Sequence, residues 1–531
     1  MTSATNAPGS RTDTLVAALL LTGLGLYAWL GVDFGGRPEE DAAMLLRYSE
    51  HVASGHGIVW NIGEPPVDGA TDFLFMLLVA LLHAIGVSLE AAAQGLGLCA
   101  HAATAVLVYL GARRLYGAPA PFALVPATFL AFGPGLRHLA ACYGTPLFAL
   151  LATLAFWTAT RVAQAEPNAV PGASLRFALV SLSMGLARPE GVFLGVFLLG
   201  TILVDRAGKQ SRAVVARFAL VFFTLGLAYF LWRWHYFAHP LPNPFYKKGG
   251  GLLHLHSLRM SWKDLWALSL PFTAVLVVGW LTRATRRAAV FTLLPTLAFV
   301  GLWVLISDET NYVMRFRYPI LPAVLLGSVA VGMGLRNAWS GLARPAVAWG
   351  LSLVTAGGLV AYQHARFRYV ATKRMGLYDA ALELRDFGRR DYTLATTEAG
   401  LLPLYSNWRA VDAWGLNDAW IARNGGITEV YLERYRPEVI LFHAYFSPET
   451  PDTGSRIEAR SLGPAWYRMV MTLKRYAENN DYALAAVYGR NAWDTHYSYV
   501  RRGFSDSQAL VDRLRSLDYA WDGEPTATFT P

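Results

Sequence analysis

Only two cysteines, Cys99 and Cys142, occur in 531 residues, and charged side chains make up just 16% of the chain. Both cysteines lie in or beside apolar segments, so no disulfide framework is implied. Soluble globular chains are about 25% charged, and the deficit here points away from an ordinary soluble fold. No G-x-x-x-x-G-K-[ST], G-x-G-x-x-G or H-E-x-x-H occurs, so nucleotide-triphosphate hydrolysis and zinc proteolysis lack their signatures. His51, His56, His254 and His256 are too far apart in sequence to read as a metal site. The chain also lacks internal repeats, and its only low-complexity segment is the polar first dozen residues. No A-x-A-like cleavage pattern follows the first apolar segment, which therefore reads as a retained span.

What the chain has in abundance is apolar and aromatic surface: 54% hydrophobic residues, 13% aromatics and 17 tryptophans. Apolar runs occur at 14–32, 91–111, 119–135, 146–163, 175–187, 190–205, 218–237, 264–282, 288–306, 318–335 and 345–363. Most approach the ~20 residues that a helix needs to cross a bilayer. A further stretch, Phe73 to Val87, decides the parity of everything after it. Read as an interfacial helix, it leaves the basic clusters Arg113-Arg114, Arg206/Lys209/Arg212/Arg217, Arg283/Arg286/Arg287 and Arg336/Arg344 on one side with the N-terminus. The positive-inside bias makes that side cytoplasmic. The net charge of +9 is thereby assigned to loop topology, not to nucleic acid. The expectation is an α-helical polytopic protein with about eleven transmembrane helices and juxtamembrane helices besides.

From about residue 366 charges become frequent, and a helical pattern (Tyr378 to Phe387) alternates with strand-like runs at 392–396, 439–442 and 482–488. Residues 1–365 thus read as a transmembrane domain and 366–531 as an extracytoplasmic α/β domain. The same parity places residues 33–72, 137–145, 238–263 and 307–317 outside.

The loop at 33–72 carries the first chemical signal. Glu40 and Asp41 stand side by side close to the membrane surface, where anionic side chains are poor anchors. They can cap the helix MLLRYSEHV, since acids favour helix N-termini. A positioned carboxylate can also serve as general base for a weakly nucleophilic hydroxyl, and Asp41 is the first choice for it. Outer-face cations form the second signal: Arg188 at the break in LARPEG, Lys247-Lys248 in PLPNPFYKKGG, and Arg315 and Arg317 in NYVMRFRYP. Converging cations suit a phosphate leaving group, although Lys247-Lys248 also fit interfacial snorkelling and Arg188 fits an ion pair with Glu190. The third signal is TTEAGLLPLYSNWRAVDAWGLND (396–418), where Glu398 and Asp412 sit among aromatic and amide groups in a manner common to sugar sites.

The stretch EDAAMLLRYSEHVASGHGIVWNIGEPPVDGATDFLF resembles the pattern D-D-A-x-I-x-x-R-Y-A-x-N-L-x-x-G-x-G-x-V-x-N-x-G-E-x-V-E-G-Y-T-N-x-L-W of one branch of the polytopic GT-C glycosyltransferases. LARPEG (186–191), PLPNPFYKK (240–248), RFRYPILP (315–322) and TEAGLLPLYSNWRAVDAWGLND (397–418) follow in the same order as in that branch. By this resemblance its relatives include terminal arabinofuranosyltransferases of the mycobacterial cell wall. It implies a catalytic carboxylate at Asp41, with Glu40 matching the first acid, and carries Arg188, Glu190, Asn243 and Tyr246 over as motif positions. It departs from the pattern at four places. Glu40 replaces Asp; G-x-E-T reads Cys142-Tyr143-Gly144-Thr145; E-G-Y-T-N reads Asp68-Gly69-Ala70-Thr71-Asp72; and G-G-D reads Ser307-Asp308-Glu309.

The expectation is a multi-pass bacterial inner-membrane enzyme that moves a sugar, arabinofuranose being the first candidate, from a polyprenyl-phosphate donor to a glycan or glycoprotein acceptor outside the cell. Its partners are the donor, the acceptor and the bilayer; no cofactor is implied, and a divalent-metal requirement stays open. The alternative is a transporter or flippase of a lipid-linked anion, which usually shows internal repeats and broken helices.

Overall fold

The computed structural model describes residues 11–206, 209–249, 251–307, 311–335, 345–367, 376–387, 391–444, 463–489, 495–517, 520–521, 524–525 and 527–529. Asp308, Glu309, Arg336 and Arg344, singled out in the sequence, lie outside the described residues.

Apolar runs bounded by Ser, Gly and Pro become helices. These are α1 (Arg11–Gly31), α2 (Glu40–Ala53), α3 (Phe73–Ala84), α4 (Leu89–Tyr116), α5 (Ala120–Ala131), α6 (Gly135–Ala140), α7 (Thr145–Gln164), α8 (Val170–Ala187) and α9 (Glu190–Asp205). Then come α10 (Lys209–Val221), continuous through a π turn with α11 (Leu227–Phe237), and α12 (Asn243–Gly249), α13 (Leu255–Ser269), α14 (Phe272–Leu281), α15 (Arg286–Leu302), α16 (Leu321–Gly334) and α17 (Pro345–Phe367). Ser88 starts α4 by accepting the Ala91 N–H at 3.2 Å, and Gly117 ends it in the left-handed region at φ 64°.

Seven described helices are long and apolar enough to cross a membrane, and eight if the pair α13 and α14, bent by 102°, is one span. The remaining three expected runs form α5, α9 and α15, with 12, 16 and 17 residues. The tertiary contacts fix the order of ends. Asp13 in the first turn of α1 accepts from Arg113 (2.7 Å) and Tyr109 (2.9 Å) on α4, while Gly35 after α1 donates to Gln94 (2.7 Å) at the start of α4. So α1 and α4 run antiparallel, and residues 32–88 leave and re-enter the bundle at one end. Helix α3, with 12 residues, lies within that excursion. Gln164 on the Leu115 carbonyl (3.1 Å), Arg206 on the Ala163 carbonyl (3.1 Å) and Arg287 on Asp205 (2.5 Å) gather basic loops at the other end.

The C-terminal region holds α18 (Gly376–Arg385), β1 (Thr393–Thr396), α19 (Leu401–Ser406), β2 (Arg409–Asp412), α20 (Ala419–Arg423), α21 (Glu429–Tyr435) and β3 (Val439–Ala444). They are followed by α22 (Gly463–Asn479), β4 (Tyr482–Gly489), β5 (Thr495–Arg501), α23 (Ser507–Ser516) and the short strands β6 (Ala520–Trp521), β7 (Glu524–Pro525) and β8 (Ala527–Phe529). The main sheet has the order β2-β1-β3-β5-β4-β8, with β2, β1 and β3 parallel and the rest antiparallel. The near-continuous apolar run VILFHA of β3 fits a central strand covered on both faces.

One apolar core lies among the bundle helices. A second joins Leu46 and Tyr48 of α2 and Phe75 of α3 to Leu377, Leu401, Trp408 and Val439 of the C-terminal region. Polar contacts close the same seam. Buried Arg47 donates to the carbonyls of Trp60 (2.9 Å), Trp408 (2.9 Å) and Pro403, and Asn61 exchanges two hydrogen bonds with the Ala410 backbone (2.9 and 3.1 Å). The loop that carries Asp41 is thus held by the C-terminal region as much as by the bundle.

Candidate functional site

Helix α2 follows its N-cap residue Glu39 and places Glu40 and Asp41 in its first turn, where the helix dipole favours negative charge. The two acids then part. Both oxygens of Glu40 accept backbone N–H groups at the start of α19, from Gly400 and from Leu401 (2.9 Å). Burial and the nearby Glu398 carboxylate push the Glu40 carboxyl well above the usual carboxylate range. The approach is close: a Cβ on Gly400 would stand 1.9 Å from the Glu40 carbonyl oxygen. Asp41 faces the other way, a quarter exposed, and pairs with Arg315. Glu39 is a third acid here; burial raises it, against a hydrogen bond from Tyr312.

Arg315 follows two residues in the left-handed region, Val313 (φ 45°) and Met314 (φ 57°). For a β-branched residue that conformation is an outlier and marks a strained segment. The guanidinium carbon of Arg315 lies 4.3 Å from the Tyr143 ring centroid. Around the Phe316 ring stand Arg315 at 4.9 Å, Arg188 at 5.6 Å and Arg317 at 5.9 Å. Cations from two distant parts of the sequence thus converge on one side chain. Arg317 is fully buried and spends its guanidinium on α13, through Ser261, the Ser257 carbonyl (3.4 Å) and Asp264 (3.7 Å). Arg188 bridges Asp72 (2.5 Å) and Glu190 (2.9 Å), so the ion pair with Glu190 is present. Gly191 permits the break before α9, since a Cβ there would meet the Met184 carbonyl oxygen at 2.2 Å.

Two of the sequence departures meet at one point. A Cβ on Gly144 would lie 2.7 Å from Oδ2 of Asp72. The space that a side chain at 144 would enter is filled by the carboxylate at 72. Asp72 is in turn raised by burial and opposed by the Arg188 charge.

The remaining expected residues fall farther along the same seam. Asn243 is buried, and its N–H binds the Asp68 carbonyl (2.9 Å); Tyr246 is half-buried on the same short helix. Lys247 sits 4.1 Å over the Trp414 ring, and burial lowers its ammonium to about 8 despite Asp412 nearby. The Lys248 carbonyl accepts from Ser307 (3.2 Å). Asp412 accepts from the backbone N–H groups of Trp414, Gly415 and Asn417 (2.8–3.1 Å), the work of a turn organiser. Glu398 lies beside His443 and His496. Sequence reasoning missed Tyr143, Glu39, Arg137 and the pair Asp68–Arg233; Tyr143 and Asp68 lay within stretches already noted for departing from the pattern.

A cleft of ≈740 Å³ opens between the loop and the C-terminal region, lined by Glu50, His51, Glu64, Tyr392, Asn407 and Arg409 among others. It is not at Asp41: Arg47 to Ser54 follow Asp41 by six to thirteen residues, roughly 9–20 Å along the helix.

Residues 360–507 match a family model described as a domain of unknown function (DUF8728). No curated protein sequence matches the chain. Among solved structures, ArnT from Cupriavidus metallidurans is similar in its apo state, with TM-score 0.53, 13% identity, and 92% of this chain and 98% of that one covered. The same protein bound to undecaprenyl phosphate gives TM-score 0.52, 12% identity and the same coverage. The arabinofuranosyltransferase AftD from Mycobacteria aligns over 94% of this chain and 42% of that one, with TM-score 0.49 and 16% identity. The chain shares its overall fold with ArnT: a polytopic helical bundle with a small sheet in the C-terminal region.

Proposed function

We propose that this protein is a membrane glycosyltransferase that moves a sugar from a polyprenyl-phosphate donor to a glycan or glycoprotein acceptor on the extracytoplasmic face. The observation that carries the reading is the placement of Asp41: approachable, in the first turn of a helix, and paired with Arg315 beside Arg188. The fold shared with a protein seen holding undecaprenyl phosphate supports the choice of donor. Arabinofuranose as the sugar rests on the motif resemblance.

In the proposed reaction Asp41 takes the proton of the acceptor hydroxyl as its oxygen bonds to the anomeric carbon. The bond from that carbon to the phosphate oxygen breaks, and polyprenyl phosphate leaves with the electron pair. Arg315 and Arg188 stabilise the charge that gathers on the phosphate. At rest these two guanidiniums face three carboxylates, Asp41, Asp72 and Glu190, so the incoming phosphate competes with Asp41 for Arg315. Asp72 stays held by Arg188, and general-base catalysis by Asp41 favours inversion at the anomeric carbon. We assign the acceptor hydroxyl to the approachable side of Asp41, and the distal part of the acceptor to the polar cleft roughly 9–20 Å farther along α2.

The test offers purified protein in nanodiscs a panel of synthetic polyprenyl-phosphate sugars with oligosaccharide acceptors, and the anomeric form of the product is read by NMR. Transfer from one donor with inverted configuration is expected. Lipid translocation without transfer would replace this reading by a flippase.

A further inference from the structure

The carboxyl ends of the parallel strands β1 and β3 lie next to each other, and in open α/β sheets that edge is where ligands bind. Here it collects a chemical set to which the proposed reaction assigns no step. Glu398 follows β1 by two residues, His443 is the penultimate residue of β3, and His496 opposes His443 directly across the antiparallel β3–β5 pair. Glu398 Oε1 lies 3.4 Å from His443 Nδ1 and 3.9 Å from His496 Nε2, and the three ligand atoms lie within 4.8 Å of one another. The two imidazoles are stacked with centroids 4.3 Å apart and planes within 8°, so both nitrogens face one ion only after one ring turns; Tyr488 stacks on the far side of His496 at 5.0 Å.

We propose that Glu398, His443 and His496 bind a divalent transition-metal ion, zinc foremost. A charge-assisted hydrogen bond between carboxylate and imidazolium is about 2.7–2.9 Å long, shorter than either separation here. Ligand atoms on a tetrahedral ion with bonds of ~2.0–2.1 Å lie roughly 3.3 Å apart, close to the shorter of the two. Two imidazoles with one carboxylate make a set suited to zinc and its neighbours, whereas calcium and magnesium take oxygen donors. The set is sequestered: His496 is fully buried, and the side chains of His443 and Glu398 are 15% and 11% exposed. Strand pairing orients His443 and His496, and the His443 N–H donates to Thr397 at 2.8 Å, tying β3 to the turn that carries Glu398. That turn continues into Gly400 and Leu401, whose N–H groups hold Glu40. The ion therefore acts as a positioning element: it fixes the turn on which the Asp41 loop is docked.

The test needs no turnover, so its outcome is independent of the glycosyltransferase reading. Tag-free full-length protein in detergent is incubated with Zn2+, dialysed, and its metal content measured by mass spectrometry; a parallel sample receives Co2+. The expected result is one zinc per chain and the visible absorption of tetrahedral Co2+, with both lost in Glu398→Gln and His496→Gln. Wild-type protein that emerges free of zinc and colourless with Co2+ would overturn the proposal, whatever the variants do. Zinc retained in both variants would overturn it equally.

Discussion

Neighbouring residues on a helix point about 100° apart, and for Glu40 and Asp41 that rotation separates a docking group from an approachable one. The same attention to single positions links residues 72 and 144. Asp72→Ala alone is expected to leave Arg188 with Glu190 as its carboxylate partner and to lower transfer sharply. Gly144→Glu alone overfills the spot now held by Asp72. The two together exchange the carrier of one carboxylate, and are expected to recover part of the lost rate. A double-mutant cycle on turnover checks this, and strict additivity would contradict the shared-space reading. Lys247 gives a pH dependence. Its ammonium titrates at about 8 rather than near its ordinary 10.5. If it holds donor phosphate, donor KM rises as pH passes from 7 to 9, and Lys247→Arg, which keeps its charge, flattens that profile. Stability moves the other way: between about 8 and 10.5 the unfolded chain binds the extra proton, so folding gains as pH rises.

At the scale of elements, α2 and its loop depend on α19 and β2. Arg47→Ala removes a buried donor from the carbonyls of Trp60, Pro403 and Trp408, and is expected to cost on the order of 3 kcal/mol. Denaturation followed by tryptophan fluorescence reads this. Gly400→Ala drives a methyl group into the Glu40 backbone and is expected to undock α2 and depress turnover, whereas Gly350→Ala, with open space at its Cβ, is the neutral control. The elements themselves were legible in the sequence. Each of the eleven apolar runs is helical for most of its length, and the separate stretch 73–87 forms α3. The seam was not legible. Arg47, Trp60 and Asn61 sit in the quoted motif, but their partners lie some 350 residues away, and single-sequence periodicity carries no such pairing. For the same reason Asp412 read as a sugar ligand, although its oxygens are engaged by its own turn. The cluster of Glu398, His443 and His496 is assembled by strand register and is invisible as a linear pattern.

For the whole molecule, the account requires the Asp41 end to face away from the cytoplasm and the arginine-rich end to face it. In a Cys99→Ser background, Ile62→Cys at the Asp41 end is expected to react with a membrane-impermeant maleimide on intact cells. Ala284→Cys, beside the basic loop at 283–287, is expected to react only after permeabilisation. Reversed labelling would put the site on the wrong face for the proposed reaction. The shared second core joins the Asp41 loop to the C-terminal region, so in this account the proposed base is positioned by both. The central claim remains chemical, and it is tested most directly by comparing transfer rates of Asp41→Asn and Glu40→Gln in nanodiscs with the active donor. Asp41→Asn should keep the fold and lose about 10²–10⁴-fold in rate, as the removal of a general base does, while Glu40→Gln keeps measurable turnover with a lower melting temperature. Near-normal transfer by a folded Asp41→Asn protein would contradict the account.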